Sequence, residues 1–108
     1  MSDDLPGNSS EAEAEAAATA RRIVTICNQK GLHARAAARF VKASYQFDAD
    51  IWVRKNGTVV SGRSIMGLMM LAAGPGTSVT VSALGPDAEQ AITAITELVD
   101  SKFNEEGT

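Results

Sequence analysis

The chain has 108 residues, 44% of them hydrophobic and 21% charged, with a formal net charge of −3, which suits one small domain with a modest core rather than two. The charge is uneven. The first twenty residues hold five carboxylates and no Lys or Arg, so the remainder is mildly basic, and nothing in that balance signals nucleic-acid binding.

The single cysteine, Cys27, excludes an intramolecular disulfide and suits a reducing compartment. No stretch nears the roughly 18 apolar residues of a membrane span, and no basic start leads into an apolar run as in a secretory signal. A soluble, cytoplasmic protein is expected. Residues 1–20, MSDDLPGNSSEAEAEAAATA, offer only Leu5 as a large apolar side chain and are expected to form a disordered acidic tail, with the Glu-Ala half inclined to transient helix. The folded domain is placed at 21–104, followed by a short C-terminal tail at 105–108.

RIVTIC at 22–27 is a β-branched run that reads as a strand, with Cys27 expected to be a small buried hydrophobe. Beyond NQKGL, Ala37, Phe40, Val41 and Ser44 recur at helical spacing and predict a helix over 34–45. DIWVRKNGTVVSG at 50–62 holds two β-rich runs joined at Asn56-Gly57, a two-residue hairpin signal. Trp52, on the first of these runs, is expected to pack or to lie on an open sheet face. Ser64 opens SIMGLMML as a natural N-cap, and AAGPGT punctuates that short helix. SVTVSA at 78–83 alternates like a half-buried strand. Gly85-Pro86-Asp87 then starts a helix whose stripe of Ala88, Ala91, Ile92, Ile95, Leu98 and Val99 runs through Phe103.

Two β-α-β crossovers and one tight hairpin constrain the topology. Placing the fourth strand between the first and second makes every neighbouring pair antiparallel, in the order 1-4-2-3. The expected fold is α+β: an open-faced β-sandwich of β-α-β-β-α-β-α order, with three helices on one face and the other open to water. A ferredoxin-like order satisfies the same pattern.

His33 is the only histidine, and it stands at about the N-cap of the helix predicted over 34–45. Orphan N–H groups and the positive dipole end disfavour an imidazolium there and favour an anion. Arg35 adds charge-assisted hydrogen bonds to any phosphoryl group carried on the ring. A lone His at a helix start is more often incidental, and by itself the pair would not decide the matter. The sequence offers no second His, no paired carboxylates near His33 and no Walker-type loop. No metal and no cofactor are expected, and a phosphoryl group on His33 would have to come from another protein.

GLHARAAARFVK at 31–42, followed by SGRSIMGLMMLAAGPGTSVTVSA at 61–83, resembles the HPr family, the histidine phosphocarriers of the bacterial phosphotransferase system. The resemblance spans 22–103, and Ser64 stands 31 residues after His33, at the family's spacing. It implies that His33 is phosphorylated at Nδ1 by Enzyme I with phosphoenolpyruvate, held by Arg35 and the backbone of Ala34 and Arg35. His33 would then pass the group to an enzyme IIA domain. The protein would be a stoichiometric carrier rather than an enzyme, and a monomer.

Ser64 matches the regulatory serine modified by HPr kinase/phosphorylase in some lineages; as a plain N-cap it needs no regulation. Ile65, Met66, Met69 and Met70 resemble a docking patch, which Lys30 and Arg39 would extend. Two departures stand out. Ala36 replaces the family's usual Pro, and Lys30 replaces a small polar residue, which leans toward a regulatory, nitrogen-related branch. The rival class is a small-molecule-sensing or adaptor domain in which His33 is incidental.

Overall fold

The computed structural model describes residues 9–105. Its elements run α1 (Ser9–Glu15), β1 (Ala20–Thr25), α2 (Ala34–Ser44), β2 (Asp50–Lys55), β3 (Thr58–Ser61), α3 (Ile65–Met70), β4 (Ser78–Leu84) and α4 (Ala88–Asp100), closed by a single turn at Lys102–Asn104. The four strands form one antiparallel sheet in the order β1-β4-β2-β3, the expected order and not the ferredoxin-like alternative. Asn56, at φ 56°, makes the tight turn that sets Lys55 opposite Thr58.

One face of the sheet carries the core. Val24, Ile51, Val53, Val60, Val79, Val81 and Ala83 meet Ala36, Ala37 and Phe40 of α2, Leu68 of α3, and Ala91, Ile92, Ile95 and Val99 of α4. The helical periods read from the sequence thus point inward, except that Ala36 is buried as well and Val41 and Leu98 are only partly so. Ser44 tolerates full burial because its hydroxyl donates to the Phe40 carbonyl at 3.0 Å.

Three expectations need correction. The tail expected to be disordered over 1–20 is ordered from Ser9: α1 packs across β2 and β3 on the face expected to be open to water. Residues 1–8 of that expectation lie outside the described residues. The docking is made by carboxylates rather than by an apolar stripe. Glu15 is buried and bridges three strands, accepting from Arg54 at 2.8 Å and from Ser82 at 2.8 Å, with Arg21 at 3.8 Å. Glu11, one turn earlier, accepts from the indole of the buried Trp52 at 3.1 Å.

Cys27 is exposed, not buried: it falls past the end of β1 and its Sγ donates to the Val99 carbonyl at 3.3 Å. The last helix stops at Asp100 rather than running to Phe103. Lys102, Phe103 and Asn104 have φ of 59°, 56° and 58°, so the chain turns left-handed and folds Phe103 into the core, where it is fully buried.

Candidate functional site

The loop that presents His33 is fixed from below by the loop that follows α3. Gly31 has φ +65° and lies so close to that loop that an added Cβ would sit 2.5 Å from the Ala73 carbonyl oxygen. Leu32, buried, donates its N–H to the same carbonyl at 2.9 Å. Lys55 holds that loop in turn, donating to the carbonyls of Leu71 (2.9 Å) and Ala72 (3.4 Å). AAGPGT, which the sequence shows only as punctuation, is the support on which the Gly-Leu-His approach rests.

His33 is the N-cap of α2, in extended backbone conformation at φ −79°, ψ −177°. Its side chain is partly exposed, at 23%. The Ala37 N–H is bonded to the His33 carbonyl at 2.8 Å. The amides of Ala34, Arg35 and Ala36 therefore precede the intrahelical ladder, where an anion is favoured. Arg35 is exposed one residue into the helix. Ala36 is fully buried, and its amide is not needed within the helix.

Two residues at this site escaped the sequence reading. Glu105, assigned to the C-terminal tail, brings its carboxylate against Nε2 of His33. Asn28, fully buried, donates from Nδ2 both to Glu105 Oε1 at 3.0 Å and to the Gly31 carbonyl at 2.7 Å. Burial pushes the Glu105 carboxyl up, but hydrogen bonds from His33 and Asn28, with the Arg35 charge nearby, outweigh it and hold the group below its ordinary value. Separations of 72 and 77 residues leave no local signal for either contact.

Arg39, considered for partner docking, donates to the Phe103 carbonyl and so ties the C-terminal turn to α2. Lys30 is exposed on the approach loop. Among the described residues, no group of three His, Cys, Asp or Glu side chains comes together that could hold a metal.

Ser64 is the N-cap of α3, its Oγ accepting from the Gly67 N–H at 2.9 Å. Gly67 allows that closeness: a Cβ there would lie 3.0 Å from Ser64 Oγ and 3.1 Å from Val60. Beyond the cap, Ile65, Met66, Met69 and Met70 are all exposed, Met66 at 66% and Met70 at 60%. On so short a helix they make a contiguous apolar surface, and α3 packs beside α2.

Over residues 20–101 the chain matches the family described as the PTS HPr component phosphorylation site. It is similar to the phosphocarrier protein HPr of Neisseria meningitidis, with 44% identity over 85 residues covering 79% of this chain and 96% of that protein. The phosphocarrier protein NPr of Shewanella violacea is 45% identical over 84 residues, 78% of this chain and 92% of its own. The crystal structure of HPr-C-His from Thermoanaerobacter tengcongensis matches with a TM-score of 0.78 and 44% identity, over 82% of this chain and 99% of that one. A sheet ordered β1-β4-β2-β3, a histidine capping α2 and a match that takes in the whole of that sheet lead to one conclusion: the chain belongs to the HPr family of phosphocarriers of the phosphotransferase system.

Proposed function

We propose that His33 is the residue that carries the phosphoryl group, received from Enzyme I with phosphoenolpyruvate as the source and passed to an enzyme IIA domain in the cytoplasm. The observation that carries this reading is the capping position of His33, a partly exposed ring beside helix amides that have no intrahelical acceptor. In the neutral ring a nitrogen lone pair serves as the nucleophile. Once the phosphoryl group is attached, the Ala34 and Arg35 amides and the Arg35 guanidinium are the groups nearest in sequence to receive its charge. The protein acts stoichiometrically, as a monomeric carrier whose chemistry is completed by its partners.

The exposed Ile65, Met66, Met69 and Met70 form the apolar part of the docking surface, and the exposed Lys30 on the loop before His33 adds a positive charge; Arg39, bonded to the Phe103 carbonyl, is held on the side of α2 that faces the C-terminal turn. Ser64 stands at the edge of that surface. A phosphate there, placed by HPr kinase/phosphorylase with ATP, adds a charge of about −2 beside an apolar contact and weakens docking while leaving the helix start tolerable.

The test is incubation with Enzyme I and labelled phosphoenolpyruvate. An acid-labile, base-stable label is expected on the wild type and none on His33→Ala; undiminished labelling of that variant refutes the assignment. With HPr kinase and ATP, the label is expected to vanish in Ser64→Ala, and a wild type that takes up no label refutes the regulatory role. Comparing sugar-branch with nitrogen-branch Enzyme I tests the lean suggested by Lys30, which a clear preference for the sugar-branch donor would reverse.

A further inference from the structure

Glu105 lies beyond the region matched to the family, which ends at residue 101, yet its side chain is 7% exposed and touches the His33 ring. The aim of the carboxylate is set from two sides. Asn28 ties it to the loop that presents His33, through Glu105 Oε1 and the Gly31 carbonyl. The buried Phe103, whose carbonyl accepts from Arg39, anchors the preceding residues against α2.

The hydrogen bonds that hold the Glu105 carboxyl below its ordinary value keep it ionised near neutral pH. An ionised carboxylate can only accept a hydrogen bond, so the hydrogen between the two groups belongs to Nε2. In a neutral imidazole the lone pair is then on Nδ1.

We infer that Glu105 is a positioning residue for phosphoryl transfer: it accepts Nε2–H of His33, fixes the tautomer that offers Nδ1 as nucleophile, and shares the positive charge the ring gathers. This rests on the phosphocarrier reading of His33. In the step itself the Nδ1 lone pair forms the N–P bond while the bond from phosphorus to the donor breaks, and that electron pair leaves with the donor. The Nε2 proton stays in the contact with Glu105 throughout. When the group moves on, the N–P electron pair returns to Nδ1, and the same tautomer is ready for the next cycle.

The full chain labelled with 15N-histidine provides the test. Long-range proton–nitrogen NMR is expected to find His33 in the Nε2–H form in the wild type and in Glu105→Gln, whose amide oxygen still accepts. Glu105→Ala is expected to show a mixture of tautomers. The rate of labelling by Enzyme I should fall about tenfold in Glu105→Ala, the lower end of what metal-ligating histidines lose with their orienting partner, and less in Glu105→Gln. The loss should appear in kcat, with KM for the carrier unchanged, because a docking role would move KM instead. Wild-type tautomer populations in Glu105→Ala overturn the inference, and so does a shifted tautomer with an unchanged rate. A wild type that Enzyme I does not label refutes the phosphocarrier reading, whereas labelling of the wild type with no response in either Glu105 variant refutes only the role of Glu105.

Discussion

Gly31 shows how much of the site depends on a residue with no side chain. Its φ of +65° and the 2.5 Å approach of a would-be Cβ to the Ala73 carbonyl oxygen act together. Gly31→Ala is therefore expected to lose at least about 1–3 kcal/mol of stability, the range for an L-residue held in such a conformation, and to displace His33. The measurement is the urea midpoint together with the initial rate of labelling; a midpoint equal to wild type would count against the close approach. His33, Arg35 and Ser64 were legible as candidates because each sits at a helix start within a motif that resembles a known family, the helix starts alone not deciding the matter. Asn28 and Glu105 were not, since their roles arise only when residues 72 and 77 positions apart are brought together. Arg63 escaped for the same reason. Its guanidinium donates to the carbonyls of Ser44, Phe47 and Ala49 at 2.8–3.1 Å and stacks on Tyr45, and so secures the end of α2. No spacing rule announces a clamp of that kind.

Among the elements, α1 departs furthest from expectation. Strands and helices with an apolar period were readable because burial of that period drives their formation, whereas α1 is docked by Glu11 and Glu15, residue types that normally signal a solvated tail. Glu15 gives that docking a pH dependence. Burial raises its carboxyl, but the hydrogen bonds of Arg54 and Ser82 and the charges of Arg54 and Arg21 leave it below its ordinary 4.5. A depressed folded value contributes stability that is present above the unfolded value and is lost as pH falls through the folded one. The contribution of α1 is thus complete near neutrality and fades below about pH 4.5. Trp52, the only tryptophan, lies beneath α1 and reports on it directly. Its emission is expected to shift to the red on acidification of the wild type, and to be red-shifted already at pH 7 in a chain lacking residues 1–18. Emission in the truncated chain that matches wild type at pH 7 would show that α1 does not cover the indole. The left-handed turn was equally illegible, because Lys102 and Phe103 carry no glycine signal and the apolar stripe of the last helix continues in phase to Phe103.

At the scale of the molecule the two sheet faces have separate tasks. The helical face holds the core, His33 and the exposed methionines, while α1 covers the β2–β3 side of the other. Changes to the exposed methionines of α3 should therefore leave the fold intact. Met66→Glu is expected to keep the melting free energy within about 0.5 kcal/mol of wild type while lowering the rate of phosphoryl acceptance roughly tenfold, read from matched thermal melts and labelling kinetics. An unchanged rate would remove Met66 from the docking surface. The fold order was readable because so few topologies join these elements without strain, whereas the division of labour between faces depended on α1. The left-handed turn at Lys102–Asn104 has one more consequence. Three successive residues in that conformation, none of them glycine, draw on the stability supplied by the buried Phe103. The aromatic ring of Phe103 is thus the counterweight to that turn, and Phe103→Ala is expected to free the carboxylate from the imidazole without touching either of them.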